Sequence, residues 1–528
     1  MTNLVTLLRD GRKGAAWSKY CGFIDLSLAQ FMEVQERLLA EQLQLLSGSL
    51  LGRKLLRNCT KVAVANFRQK VPLTSYEDYL PYLAEKREDV LPAAPQMWVC
   101  TSGKAGAYDR KWAPYTHAWV EANAKNFLAA IIFSVCNKRN EFILREGYKF
   151  LYAMAPPPYL TGMVPHGLKH EFPFEYLPPL AQAEEMSFEE QNQEGFRLGM
   201  IEGIDLFFGL SSILTRIGER FAERGGRRLD FNSLGLGGSL RLATGWIKSR
   251  WHRRPLLPRD VWNLKGIICA GTDTTFYKEC IEYYWGRKPL EIYGGTEVGI
   301  AATQTWDYDG MVLFPDANFW EFIPEEEHRK SMVDGSYQPK TVLLPELEPG
   351  RRYELVITNF RGGIFVRYRL GDMIKVISRS NDKLEIDLPQ IVYEDRVEDF
   401  IDLASFTRIT ERTIWEALRL AGIDHSHWLA KKGTDNSGRP TLEIWLELSK
   451  ENLERKSHTI YDALKQLDSD YRDLENFMGY QPLQLIPFPP GAWNRLAKQL
   501  METRLNPPAE LLDKLQAHNL PADSTNAL

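Results

Sequence analysis

The stretch between residues 266 and 293 constrains the chain most. Gly266-Ile-Ile-Cys-Ala270 is an unbroken apolar run of strand length, a helical stretch surrounds Phe276 to Tyr284, and Leu290-Glu-Ile-Tyr293 is a second strand. Strand, helix, strand in that order predicts a parallel pair joined by a crossover. The body of the chain is therefore expected to be α/β. At 528 residues and about 150 residues per domain, three or four folding units are expected.

Other segments fill in around that pair. Ser27 to Leu51 carries apolar residues at Leu28, Phe31, Val34, Leu38, Leu39 and Leu43, a helical period. Met97-Trp-Val-Cys100 is a short strand, Thr116 to Val135 a helix, Lys149 to Met154 a strand, and Ser187 to Leu206 and Ser211 to Ala222 helices. From Met311 the pattern turns β-rich, with runs at Val312 to Ile323, Tyr353 to Thr358, Ile364 to Leu370 and Met373 to Ile377. Near residue 400 the texture changes to a smaller block. It has a helix at Thr410 to Ala421, strands near Trp428 to Ala430 and Leu442 to Leu448, a long helix from Lys450 to about Phe477, and a strand at Leu483 to Pro487. Asp435-Asn-Ser-Gly438 is a hairpin-turn signal. The division expected is a large body over 1–395, a connection over 396–402 and a small α+β domain over 403–528.

Charge and cysteine content exclude several classes. Lys plus Arg number 65 against 69 Asp plus Glu, a net charge of −4, whereas a protein that neutralises a phosphate backbone carries a basic excess. No nucleic-acid partner is expected. The six cysteines form no C-x-x-C pair, so neither a disulfide scaffold nor a zinc ribbon is indicated. No leader of signal-peptide type opens the chain. The longest apolar-rich stretch, Asn126 to Cys136, is well short of the roughly 18 residues that span a bilayer. A cytoplasmic protein with no membrane insertion is expected.

Three segments could carry chemistry. Thr101-Ser-Gly-Lys-Ala-Gly106 follows a strand, with Lys111 close by. The glycines Gly103 and Gly106 let the backbone bend around a ligand, the hydroxyls of Thr101 and Ser102 can face phosphate oxygens, and Lys104 brings positive charge. Tyr293-Gly-Gly-Thr-Glu297 follows a buried strand, at the carboxyl end where open α/β sheets bind ligands. There Gly294 and Gly295 form a tight turn, Thr296 can donate to a phosphate, and Glu297 can ligate Mg²⁺, which prefers oxygen. Tyr368-Arg-Leu-Gly-Asp372 ends the run from Ile364. Period-two alternation puts Ile364, Val366, Tyr368 and Leu370 on one face; Gly371 closes the strand and Asp372 emerges at its tip, able to hold a vicinal diol.

Taken in order, the Thr-Ser-Gly loop, Ala270-Gly-Thr-Asp273, Tyr293-Gly-Gly-Thr-Glu297 and Tyr368-Arg-Leu-Gly-Asp372 resemble the adenylate-forming superfamily. Within it the chain is most similar to the acyl-acid amido synthetases of the auxin-responsive promoter family. Tyr353-Glu-Leu-Val-Ile-Thr358, the strand Arg367 to Asp372 after it, and the spacing from Ala270-Gly271 to Tyr293 favour that branch. The likeness runs over about residues 60 to 510. It implies a large adenylate-forming-type N-terminal body with β-rich subdomains and a small mobile C-terminal lid. It also implies an ATP- and Mg²⁺-dependent ligase that joins a carboxylic acid to an amine, an amino acid foremost, through an acyl-adenylate. Thr101, Ser102, Gly103 and Gly106 would cradle the phosphates; Ala270, Gly271 and Thr272 would line the adenine; Tyr293 would stack beside it. Thr296 would touch the α-phosphate, Glu297 would hold the metal and Asp372 the ribose. Arg396 and Asp399 match the passage into the mobile domain. The family loop has hydroxyl residues where this chain has Lys104 and Ala105. The family's C-terminal lysine falls on Lys498, with Arg504 next. The same fold admits coenzyme A thioester formation, or a catalytically silent relative that binds nucleotide or acyl acid.

Other features carry less. Gly235-Leu-Gly-Gly-Ser-Leu240 lacks the last glycine of a dinucleotide loop. Pro165 and Gly167 argue against a helix at His166 and His170, and His425 and His427 read as loop residues. Lys248 to Arg254 is basic with a tryptophan inside and reads as a solvated helix end, RNA contact being the lesser reading. Glu184 to Glu190 reads as an acidic helical face. Helices between 185 and 250, with Phe207, Phe208 and Trp246, are the expected source of an acyl pocket.

Overall fold

The computed structural model describes residues 2–57, 64–101, 110–224, 235–270, 274–396, 400–403, 407–423, 427–447, 452–488, 504–507, 512 and 515. These fall into two compact units, one built from residues 2–101 and 111–396, the other from Arg110 and the residues from Phe400 onward. Among them no helix is long and apolar enough to cross a membrane.

The first unit opens with helices, the longest being Leu28–Ser47. Ser27 caps it, its hydroxyl accepting from the Gln30 amide while the Gln30 side chain returns to the Ser27 amide. Strands β1 (Met97–Cys100) and β2 (Trp112–Tyr115) pair antiparallel. The central sheet takes β3 (Lys149–Ala153), β4 (Glu175–Leu177), β5 (Leu206–Leu210), β6 (Gly266–Ala270), β7 (Leu290–Gly295), β8 (Gly299–Thr303) and β9 (Val312–Leu313). Among the described residues its order is β4-β3-β5-β6-β7-β8-β9. Neighbours from β4 to β7 are parallel and the last two pairs antiparallel. The expected crossover between β6 and β7 is the helix Thr274–Trp285. The helix His117–Val135 is buried over nearly its whole second half, which is why its sequence is apolar on every side.

A second sheet, β10 (Asn318–Pro324), β11 (Arg352–Asn359), β12 (Tyr368–Ser378) and β13 (Gln390–Arg396), runs antiparallel in chain order. In the other unit β14 (Phe400–Leu403) pairs with β15 (Thr407–Thr410), and β16 (Trp428–Thr434), β17 (Pro440–Glu447) and β18 (Leu483–Phe488) form a sheet whose last pair is parallel. Trp428, Ile444, Leu464 and Tyr471 lie in its core. Asp435 to Gly438 makes the expected turn between β16 and β17.

Several sequence expectations are corrected, most of them by a side chain that satisfies the backbone in an unforeseen way. The helix predicted to Leu206 stops at Glu202, and Leu206 begins β5. Arg241 donates to the carbonyls of Met200, Ile201 and Glu202, which closes that helix end. The strand predicted from Ile364 begins only at Tyr368. The amides of Phe365, Val366 and Arg367 go instead to Asn359 Oδ1, Tyr79 Oη and Thr358 Oγ1, at 3.0, 2.8 and 2.9 Å. Gly371 does not end the strand: it sits inside β12 at a register shift with φ +73°, and Asp372 lies mid-strand, buried, opposite Arg396.

The run from Val312 to Ile323 is broken into β9 and β10, because Gln35 Nε2 reaches in to the carbonyls of Pro315 and Asn318. Pro165 lies inside the helix Leu160–Glu171. The carbonyl it leaves without an amide, Thr161 O, accepts from Tyr152 Oη at 2.5 Å. The long helix predicted from Lys450 is two, Leu453–Leu467 and Ser469–Met478, because Asp468 turns to cap the second by accepting from Tyr471 N at 2.7 Å. Glu184 to Glu190 is not one helical face: the chain turns after Ala183, and Glu190 folds back onto Ser187 N as a capping partner. Strands β2, β4, β8, β13, β14 and β15 were not anticipated.

Two charged groups brace the first unit. Arg367, 5% exposed, forks onto the fully buried Glu321 at 2.8 and 3.0 Å and onto the carbonyls of Arg68 and Val71. Replacing Arg367 with Met leaves the buried carboxylate only the more distant Arg68 Nε, at 3.6 Å. Urea unfolding is expected to show a loss of about 3–5 kcal/mol. Asp316 receives Lys125 Nζ at 2.6 Å and Arg361 Nη2 at 2.9 Å. Burial works against its charge, yet the two cations hold its carboxyl down at about 2 from an ordinary 3.8. A depressed folded value means the contribution is present above the unfolded one and lost as pH falls from there through about 2. The stability gap between the wild type and Asp316→Asn, measured by denaturant at a series of pH values, is therefore expected to close on acidification over that window.

Candidate active site

The carboxyl ends of β6 and β7 lie side by side, Ala270 opposite Ile292. From there the chain makes the turn Gly294 to Val298. A Cβ on Gly294 would stand 2.7 Å from the Gly299 carbonyl, so no larger residue fits while β8 returns this closely. Asn123, from the buried helix, accepts from Ile300 N and fixes where the return begins.

Cross-links then gather distant segments around this turn. Thr296 Oγ1 donates to the Cys100 carbonyl at 3.1 Å, which puts the turn beside Thr101. Thr101 is buried and held by a reciprocal pair: its amide donates to Lys111 O, and its hydroxyl accepts from Lys111 N at 3.1 Å. Tyr115 Oη donates to Thr296 O at 2.9 Å. Burial first, then the nearby Glu297 charge, pushes that phenol well above its ordinary value, so it stays a donor. Glu297 is 4% exposed, with Tyr368 Oη at 3.4 Å and Lys111 Nζ at 3.9 Å from its Oε1. In the opposite sense, Tyr293 Oη donates to Asp372 Oδ2 at 2.5 Å. Tyr293 also stacks on Tyr393 of β13, ring centres 5.8 Å apart.

The structure thus brings together Thr101, Ala270, Tyr293, Gly294, Gly295, Thr296, Glu297 and Asp372, with Lys111 among them. Arg396 ends β13, its backbone opposite that of Asp372. Ser102, Gly103, Lys104, Gly106, Gly271, Thr272, Asp399 and Lys498 lie outside the described residues. Arg504, in the other unit, has its guanidinium 5.2 Å from the Trp428 ring and 3.8 Å from Glu411. Phe207 and Phe208 sit in β5 rather than on a helix, Phe208 against Phe127 and Tyr152, while Trp246 packs at the edge of the core.

Residues that the motifs did not name hold the site in place. Asn359 Nδ2 donates to the Glu297 carbonyl at 3.0 Å and to Asn318 Oδ1 at 2.7 Å, and Asn318 Nδ2 reaches Val298 O at 2.8 Å. Both asparagines are fully buried at strand ends. In sequence such a residue reads as a turn former, so only its place at the edge of an apolar strand could have marked it. Tyr115 was likewise hidden, and Tyr368, although it opens the third motif, was read there only as one residue of a strand face.

One carboxylate is a sparse donor set for a metal. Among the described residues no group of three or more His, Cys, Asp or Glu side chains converges. His166 faces Glu184 at 2.9 Å, and His427 is held by Glu447. Mg²⁺ commonly rests on one or two carboxylates, completing its octahedron with phosphate oxygens and water. Glu297 fits that mode and no all-protein cage.

The model of the GH3 family N-terminal domain matches residues 21–159, and that of the GH3 family central domain matches 311–393. A jasmonoyl–L-amino acid synthetase, JAR4 of Nicotiana attenuata, is 34% identical over 146 residues, 26% of this chain and 24% of that protein. That alignment therefore spans about a quarter of the relative's length. Among solved structures, the AtGH3.15 acyl acid amido synthetase in complex with 2,4-DB aligns over 98% of this chain and 95% of its own, with a TM-score of 0.52 at 16% identity. A 2-hydroxyisobutyryl-CoA ligase aligns over 95% and 94%, with a TM-score of 0.57 at 14% identity. At these identities the two structures speak for the fold. Residues 21–159 and 311–393 thus match domains of the GH3 family, and the fold is that of the two ligase structures.

Proposed function

We propose that the protein is an ATP-dependent ligase that activates a carboxylic acid as its acyl-adenylate and passes the acyl group to an amine, an amino acid foremost, in the cytoplasm. The observation that carries this reading is the meeting of Thr101, Thr296, Glu297 and Asp372 at the carboxyl ends of β6 and β7. The amino-acid acceptor is suggested by the names of the relatives, a jasmonoyl–L-amino acid synthetase and an acyl acid amido synthetase.

In this reading the Asp372 carboxylate receives the two ribose hydroxyls, as two acceptors suit a vicinal diol. Tyr293 orients that carboxylate through its hydroxyl and flanks the base, which Ala270, Gly271 and Thr272 line. Thr101, Ser102, Gly103 and Gly106 offer hydroxyls and amides to the phosphates, with Gly294 and Gly295 leaving room at the turn. Lys104 and Lys498 supply positive charge against the negative charge that develops on the leaving pyrophosphate. Glu297 would hold Mg²⁺, which when bound neutralises phosphate charge.

A substrate carboxylate oxygen attacks the α-phosphorus, the bond to the bridging oxygen breaks, and pyrophosphate leaves. The amine nitrogen then attacks the acyl carbon, AMP departs, and the amine proton passes to solvent. Thr296, beside the α-phosphate, and the positions fixed by Asn359 and Tyr115 supply alignment, the larger part of such catalysis. Residues 396–402, with Arg396 and Asp399, are assigned as a hinge and 403–528 as a lid that moves between the two half-reactions.

Pyrophosphate release, screened with carboxylic acids crossed against amino acids and coenzyme A, tests the reading. Release that needs an acid, with AMP formation accelerated by an amino acid and not by coenzyme A, is the expected result. Release answering to coenzyme A alone would reassign the acceptor. Tight ATP binding without turnover by any acid would overturn the enzyme assignment.

A further inference from the structure

The helix Gly235–Trp251 takes no part in the chemistry above and carries an unusual surface. Its inner side is tightly packed: Leu242 is fully buried, and a Cβ on Gly245 would stand 3.1 Å from Leu256 Cδ1. Its outer side presents Leu236, Leu240, Ile247 and Trp251, exposed to 94, 67, 69 and 85%. At 3.6 residues per turn these four fall within an arc of about 60°. Single exposed apolar residues are ordinary. Four aligned along one helix are a contact surface.

The charge beside this line is equally one-sided. Between Gly235 and Arg254 there is no Asp or Glu, while Arg241, Lys248, Arg250, Arg253 and Arg254 are cationic, in a chain of net charge −4. Two of these are engaged within the fold, Arg241 on helix carbonyls and Arg254 on Asp260 at 2.7 and 2.8 Å. Lys248, Arg250 and Arg253 are exposed, and among the described residues no carboxylate pairs with them. On the helical wheel Lys248 and Arg250 lie on opposite sides of the apolar line. Trp251 stands at its end, followed by His252 and Arg253.

We propose that this helix seats the protein on an anionic membrane surface. Leu236, Leu240, Ile247 and Trp251 enter the boundary between headgroups and acyl chains, and Lys248, Arg250 and Arg253 meet the lipid phosphates and carboxylates. An apolar line edged by cations and ended by tryptophan is the form of an interfacial helix. A second copy of the chain is disfavoured, because it would set cation against cation with no acid on the helix to pair them. RNA would use the charges and leave the four apolar side chains wet.

Flotation of the full chain with phosphatidylcholine vesicles, with and without phosphatidylserine, tests this. Binding is expected only with phosphatidylserine and is expected to fall as salt rises. Lys248→Glu and Arg250→Glu are each expected to weaken it by at least about fivefold, from roughly 1 kcal/mol per basic residue near such a surface. The double variant Ile247→Glu/Trp251→Glu should lose binding while keeping the wild-type circular dichroism and urea-unfolding midpoint, since both side chains are exposed. Failure to float with phosphatidylserine overturns the proposal, as does undiminished flotation of the double variant. A dimer seen by light scattering in the wild type and lost in the double variant also overturns it, in favour of a second copy.

Discussion

Two tyrosine hydroxyls join the parallel sheet to the antiparallel one at the place where the chemistry is assigned. Tyr293, on β7, donates to Asp372 on β12; Tyr368, on β12, reaches Glu297 in the turn after β7. Each carboxylate is thereby held by a residue of the other sheet. A buried carboxylate hydrogen-bonded to a phenol has a fixed direction, and hydrogen bonds to charged groups are the stronger kind, about 1.5–3 kcal/mol. The remaining ligand-facing residues depend on this cross-bracing, since Thr296 and Thr101 are located relative to the same turn.

Around that junction the backbone is satisfied by side chains to an unusual degree. Asn359 serves Glu297 O and Phe365 N, Asn318 serves Val298 O, Asn123 serves Ile300 N, and Tyr79 serves Val366 N. Each is buried or nearly so. A buried network of this kind is costly when one partner is missing and rigid when all are present. That rigidity suits a site whose work is alignment of a nucleotide and an acid. Arg367 with Glu321 and Asp316 with its two cations extend the same logic outward, holding the segments that carry Tyr368 and Arg361.

Much of this was legible in the sequence wherever apolar period and turn residues speak directly. The β6–helix–β7 crossover, the helix His117–Val135 and the strands β1, β11 and β16 follow from runs that any reader can count. The motif segments were legible as local strings, and their convergence could be expected only through resemblance, because spacing along a chain does not place one strand end beside another. The failures have a common cause. Arg241, Asp468, Asn359 and Tyr152 each satisfy backbone groups, Arg241 from 39 residues away, and so end, break or permit elements that local propensity reads otherwise. Asp372 is the instructive case. Its motif was recognised, but its place was read as a strand tip, whereas the bulge at Gly371 keeps it inside β12 and within reach of Tyr293.

The most direct test of the central claim is the affinity for AMP of Asp372→Asn against the wild type, by calorimetry, with urea unfolding of both alongside. Asparagine keeps the shape and removes the charge. The account predicts affinity lower by roughly ten- to a hundredfold, the value of a charge-assisted hydrogen bond, with the unfolding midpoint little changed. Equal affinity in the two proteins would contradict it.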